Sequence, residues 1–110
     1  MTNKIDDVIV ELIKDLKKEY PSDFSGIYLF GLFLDGKMHD GEDIELAAIF
    51  DVEDKSKREQ IWPIVGKVET EFDVCIDLYP HTQESFKKDE YIYDEVMEEG
   101  IFYNNMGIRK

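Results

Sequence analysis

The chain has 110 residues, of which 43% are hydrophobic and 13% aromatic, and its 13 basic against 26 acidic residues give a formal net charge of −13. This charge excludes direct binding of duplex nucleic acid or of an anionic membrane surface through a basic patch. The length predicts one domain over residues 1–110. No apolar run is long enough for a membrane span, the N-terminus lacks a signal-peptide pattern, and the single Cys75 favours a reducing, cytoplasmic location.

The first half of the chain predicts a helix followed by two strands. Apolar residues alternating at gaps of three and one predict an amphipathic helix over 3–20, with Asn3 as its N-cap. Residues 21–26 predict a turn, and 27–30 a strand that is buried on both faces and ends at Gly31. A short helical turn and a loop follow, with hinges at Gly36 and Gly41, and then a second strand over 43–51.

The second half predicts a helix, a third strand and two short acidic helices. The helix covers 54–71, where Pro63 should kink it or mark its first turn. Strict alternation over 72–80 predicts a third strand, with Cys75 as a small buried residue. Two short helices within 82–99 should stop at Gly100, followed by a short last strand and a tail. The predicted fold is therefore α+β, a small mixed β-sheet packed against helices.

Acidic side chains on two of these strands are the first candidate site. Asp43 and Glu45 are two residues apart, so a strand points both carboxylates to one side, and Asp77 lies near the end of the third strand. If the two strands are neighbours, the three carboxylates can approach one or two ions, and their oxygen ligands suit Mg²⁺ or Mn²⁺. The alternative interpretation is that these acids merely begin and end strands.

Other polar or aromatic residues give weaker signals. Gly31 and the turn after it can let backbone amides approach a phosphate, although a glycine at a strand end more often serves only the turn. His39 and His81 lack metal-ligand partners at a recognisable spacing and are expected to be exposed. Trp62 is expected to pack within its helix.

From Gly31 to Ala48 the sequence resembles the signature of the minimal nucleotidyltransferases of the DNA polymerase β superfamily, G-S-x-A-R-G, five residues, then S-D-I-D-L. The match needs no gap, and Asp77 falls where that family has a third acid. Residues 98–103 are also similar to its closing helix and strand. The resemblance implies a nucleotidyltransferase-like fold, a nucleoside triphosphate such as ATP as substrate, and a small helical toxin as partner of an antitoxin-type protein. It assigns the following roles: metal binding and catalysis to Asp43, Glu45 and Asp77, and nucleotide binding to Gly31, Leu32 and Gly36.

Departures from the family pattern at three residues change the chemistry of the site. Leu32 replaces a serine, Asp35 replaces an arginine, and Glu45 replaces an aspartate. Leucine cannot donate a hydrogen bond, and an acid opposes a bound phosphate, so these changes suggest a weakened or lost transferase activity. Three functions remain open. The first is transfer of a nucleoside monophosphate from a triphosphate to a protein or small-molecule hydroxyl, in a toxin–antitoxin type pair. The others are a catalytically inactive acidic domain that binds a protein, and a metal-dependent phosphohydrolase built on the same acids.

Overall fold

The protein, described here from a computed structural model at residues 3–52 and 54–109, folds into one four-stranded mixed sheet with helices on both faces. The strand order is β3-β2-β1-β4, with β1 antiparallel to both β2 and β4, and β2 parallel to β3. The elements in chain order are α1 (Lys4–Glu19), β1 (Phe24–Phe30), a 3₁₀ helix (Gly31–Asp35), β2 (Asp43–Phe50), α2 (Lys57–Phe72), β3 (Cys75–His81), α3 (Gln83–Lys88), α4 (Tyr93–Glu99) and β4 (Ile101–Asn104). This architecture confirms the predicted α+β class.

The two faces of the sheet bury different sets of apolar residues. Helices α1 and α2 cover one face, and the residues of β2 that point to them are Ile44, Leu46, Ala48 and Phe50. Helices α3 and α4 cover the other face, where a smaller core joins Phe30, Ala47, Ile49, Phe86, Ile92 and Val96. Because side chains alternate along a strand, the odd-numbered positions of β2 all face α3 and α4. The acids at the start of β2 therefore lie on that second face.

The ends of α1, the 3₁₀ helix and α4 lie at residues that the sequence predicted. The Asn3 side chain accepts a hydrogen bond from the Asp6 amide at 2.8 Å and caps α1. Gly36 ends the 3₁₀ helix in the left-handed conformation, and Gly100 follows the last residue of α4. In the described ranges no helix is both long and apolar enough to cross a bilayer.

The boundaries of two strands differ from the prediction. β1 begins at Phe24, inside the predicted turn, through an irregular step between Phe24 and Gly26. β3 begins only at Cys75, because Phe72 is the last residue of α2 and Asp73 ends that helix with a φ of 54°. Pro63 lies well inside α2 and does not mark its first turn. Alternation over 72–80 misled the prediction because Phe72, at the end of α2, and Val74, in the connection, both pack against the core and so extend the apolar pattern of β3.

The burial predictions for Cys75 and Trp62 were wrong. Cys75 is exposed, because it is the first residue of an edge strand. Trp62 is also exposed, at 66%, on the outer side of α2. The predicted tail folds back onto β4 up to Arg109, which forms an isolated bridge with Tyr103, while the Asn104 amide donates to the Ile108 carbonyl. Lys110 lies outside the described residues.

Candidate active site: a carboxylate face at the start of β2

The register of β2 against β3 brings the predicted acids to one face. Glu45 is directly paired with Asp77, and Asp43 with Cys75, in the parallel ladder. Paired residues of neighbouring strands point to the same side, so Asp43, Glu45 and Asp77 share the face that α3 and α4 cover. We call these three residues the carboxylate face.

Glu45 lies against the glycine turn that ends β1. Gly31 has a φ of +82°, and a Cβ atom added to it would lie 2.0 Å from Glu45 Oε2. The absence of a side chain at Gly31 thus leaves the space that the Glu45 carboxylate fills. A turn glycine was predicted here, but this contact depends on the pairing of Phe30 with Glu45 across β1 and β2.

The Glu45 carboxyl has a raised pKa. Burial is the largest cause, followed by repulsion from Glu95, Asp77, Asp43 and Glu42. Glu95 lies on α4, far from the signature in sequence, and the sequence analysis missed it because only the packing of α4 over the sheet brings it close. Other negative charges therefore surround Glu45 on the carboxylate face.

Asp77 differs from the other two acids because both of its oxygens have partners. The Tyr79 hydroxyl donates to Asp77 Oδ2 at 2.6 Å, and an Arg58 guanidinium nitrogen lies 3.7 Å from Oδ1. That hydrogen bond is the main cause that raises the pKa of Tyr79 to about 12. Sequence reasoning missed Tyr79, although its position two residues after Asp77 on the same strand placed it on the same face.

The turn after β1 has few side-chain donors. Leu32, where the family signature has serine, is 54% exposed and offers only carbon atoms. Asp35 accepts hydrogen bonds from the Lys37 amide at 2.9 Å and from His39 Nε2 at 3.1 Å, and these bonds lower its pKa. The glycine φ of +75° at Gly36 turns the chain away from the 3₁₀ helix. Asp35 is therefore part of a local hydrogen-bonded loop.

Both histidines are half-buried, which corrects the expectation that they are exposed. His39 packs edge-on against Phe33, with ring centroids 5.1 Å apart. His81 contacts the Ser85 hydroxyl through Nδ1 and an Asp89 oxygen through Nε2, each at 3.0 Å, and so ties the end of β3 to the α3 region. Neither ring reaches the carboxylate face through any of these contacts.

A divalent cation fits the chemistry of the carboxylate face, although its side chains are not gathered around one point. Within residues 3–52 and 54–109, no three His, Cys, Asp or Glu side chains are arranged to hold one metal ion. The donors are nevertheless hard carboxylate oxygens on adjacent strands, which are the ligands that Mg²⁺ and Mn²⁺ prefer. To hold an ion, these side chains must rotate toward one point.

A mixed sheet with a glycine turn after its first strand and acids on the next two strands is the arrangement of a nucleotidyltransferase-like domain. Comparison with protein families supports this class directly, since the profile of the nucleotidyltransferase domain matches residues 9–103. The chain therefore belongs to the nucleotidyltransferase domain family. No curated protein sequence matches it significantly.

Solved structures with the same fold are antitoxins of the minimal nucleotidyltransferase type in toxin–antitoxin complexes. A mutant form of the MntA–HpeT complex matches with a TM-score of 0.56 and 25% identity over 82% of this chain and 68% of that one. A toxin–antitoxin structure with AMP-PNP has a TM-score of 0.56 at 23% identity, covering 88% and 72% of the two chains. The MNT antitoxin in complex with the tri-AMPylated HEPN toxin of Shewanella oneidensis has a TM-score of 0.52 at 21% identity, covering 94% and 73%.

Proposed function

We propose that this domain is the nucleotidyltransferase of a toxin–antitoxin type pair, and that it transfers a nucleoside monophosphate from a triphosphate such as ATP to a hydroxyl of a small helical partner. The observation that carries the proposal is the pairing of Glu45 with Asp77, with Asp43 on the same face beside the Gly31 turn. The likeness to an antitoxin at 25% identity supports the kind of partner. The free, exposed Cys75 agrees with a reducing, cytoplasmic location.

In this reaction the acceptor hydroxyl forms a bond to the α-phosphorus, the bond from that phosphorus to the bridging oxygen breaks, and pyrophosphate leaves. Asp43, Glu45 and Asp77 are the residues that would hold Mg²⁺ or Mn²⁺, which supplies positive charge for the phosphates. The proton of the hydroxyl goes to a carboxylate of this face. One of these carboxylates would act as the general base.

The glycine turn would position the nucleotide through its backbone. Gly31 and Gly36, with Leu32 between them, are the proposed contacts, since the side chain of Leu32 provides no hydrogen bond. Amide groups at the start of a helical turn can approach a phosphate closely where no side chain intervenes. This half of the site is weaker than in the family signature, because Leu32 and Asp35 replace a hydroxyl donor and a base.

A second candidate function is protein binding without catalysis, through the acidic surface of the domain. It is favoured by the same turn: Leu32 is an exposed apolar residue and Asp35 is engaged with His39. In this case a basic helical partner binds equally well to the wild type and to an Asp77→Asn variant. Dependence of partner binding on an intact carboxylate face would count against it.

The two candidates are separated by thermal melting and by product analysis. The wild type and Asp43→Asn are melted with and without ATP and MgCl₂, since a ligand that binds only the folded state raises the melting temperature. The transferase proposal expects a rise that requires both additions in the wild type and is lost in Asp43→Asn. Release of pyrophosphate rather than orthophosphate distinguishes transfer from phosphohydrolysis. No dependence on magnesium and ATP in either protein would refute the transferase.

A further inference from the structure

The nucleotide-binding turn of this chain lacks the positive charge that its family signature carries. A triphosphate that approaches Asp43, Glu45 and Asp77 must be neutralised, because like charges at short range repel strongly where water is partly excluded. The turn offers Leu32 and Asp35 instead of a hydroxyl and a base. A base from another part of the chain, in addition to the metal ion, would compensate for this loss.

Arg58 is the one base in residues 3–52 and 54–109 that lies within ion-pair distance of any of the three acids. Its guanidinium is 3.7 Å from Asp77 Oδ1. The residue belongs to the first turn of α2, on the face of the sheet opposite to the acids. It reaches Asp77 because β3 is an edge strand, so the side chain passes around the open edge of the sheet.

Contacts around Arg58 orient its guanidinium group but leave the N–H donors of that group without a hydrogen bond in the described part of the chain. Its central carbon lies 5.7 Å from the centre of the Tyr79 ring, a distance at which a cation is attracted to an aromatic face. At 3.7 Å the contact with Asp77 is too long for a hydrogen bond, so within the described part of the chain the N–H groups remain available. The side chain is also 57% exposed, so a ligand can reach it.

We propose that Arg58 binds the phosphate chain of the nucleotide beside Asp77 and so replaces, from α2, the base that the glycine turn has lost. The inference rests on the proposed nucleotidyltransferase function. A guanidinium presents a planar fork of donors that matches two phosphate oxygens at once, whereas an ammonium acts as a point charge. Lysine at this position would supply the charge but not the fork, so it should replace arginine only in part.

Four proteins test this assignment: the wild type, Arg58→Ala, Arg58→Lys and Lys67→Ala. Lys67 is a matched control, because it lies on the same helix, has 61% of its side chain exposed and is ion-paired with Asp15 at 3.2 Å. Dissociation constants for ATP in MgCl₂ and for adenosine are measured by calorimetry at two salt concentrations. Melting curves check that each exposed substitution leaves the fold intact.

The proposal expects Arg58→Ala to weaken ATP binding by roughly tenfold or more, as for loss of a hydrogen bond between charged groups. Arg58→Lys should restore part of this loss, the salt dependence of ATP binding should fall in Arg58→Ala, and adenosine binding should not change. Lys67→Ala should match the wild type throughout.

Three results overturn the inference, and they have different meanings. Equal ATP binding by Arg58→Ala and the wild type, together with loss of binding in Asp43→Asn, removes the role of Arg58 and leaves the proposed function standing. Tighter ATP binding by Arg58→Ala also refutes it, and shows that the guanidinium competes with the metal for Asp77. If the wild type binds no ATP with MgCl₂, the proposed function fails, and this inference fails with it.

Discussion

Replacing Gly31 with alanine tests the contact between this glycine and the Glu45 carboxylate. Two costs are expected. The backbone at φ +82° is strained for any residue with a side chain, at about 1 to 2 kcal/mol. In addition, the new Cβ would lie 2.0 Å from Glu45 Oε2, so the carboxylate must move. Because that atom is the end of a flexible side chain, moving it costs about 1 kcal/mol.

Gly41 provides the matched control for the backbone cost. Its φ is +79°, close to that of Gly31, but a Cβ added there meets no atom within 4 Å. We therefore expect Gly41→Ala to lose about 1 kcal/mol of unfolding free energy in urea, and Gly31→Ala to lose about 1 kcal/mol more. In a Glu45→Ala background the extra loss should disappear, because nothing then occupies the space beside Gly31. If the two glycine substitutions cost the same, or if the difference survives in the Glu45→Ala background, the Glu45 carboxylate does not lie over the turn.

Three further substitutions test the electrostatics. Lys57 is 5% exposed and pairs with Asp23, so Lys57→Met should cost about 3 kcal/mol in urea unfolding by leaving that carboxylate without its base. Glu45→Gln should stabilise the protein at neutral pH, because a carboxyl with a raised pKa contributes stability at low pH that is lost as pH rises through its folded pKa. Tyr79→Phe should lose about 1 kcal/mol with the hydrogen bond to Asp77.

The dependence of stability on pH, and one melting temperature, check these three predictions. Burial raises the pKa of Asp23, but the hydrogen bonds from Lys57 and from the Val52 amide outweigh this effect. The net result is a pKa below the ordinary value of 3.8. Stability from this pair is thus present above about pH 4 and lost as pH falls below it, and Lys57→Met should reduce that acid sensitivity. A pH profile of Glu45→Gln that parallels the wild type between pH 4.5 and neutrality would contradict the raised pKa. An unchanged melting temperature in Tyr79→Phe would show that its hydroxyl bonds water equally well.

Much of the fold follows from signals within single segments. The gaps between apolar residues fix α1, and the Asn3 cap marks its start. The alternation from Asp43 to Phe50 separates the acidic face of β2 from its core face, because a strand has a period of two residues. Such local rules do not locate the exact end of α2, where Phe72 fits a helix and a strand equally well.

The candidate site was predictable only in part, for a physical reason. Asp43, Glu45 and Asp77 stand out because acids at strand positions are visible in the sequence, and their shared face follows once β2 and β3 pair. Glu95 lies near the site because α4 packs over the sheet, and Arg58 reaches it because its side chain passes around the edge of the sheet. The spacing of residues along the chain does not predict such tertiary contacts. The sequence therefore shows the three acids but not the charged residues that surround them.

The most direct test of the account is titration of Mn²⁺ into the protein in the presence of a non-hydrolysable ATP analogue. Wild type, Asp43→Asn and Asp77→Asn are compared, with Asp94→Asn, in the first turn of α4, as a control. If the carboxylate face holds the ion, the wild type and Asp94→Asn bind Mn²⁺ alike, and the other two variants bind it at least tenfold more weakly. Equal Mn²⁺ binding by all four proteins would show that the carboxylate face is not a metal site.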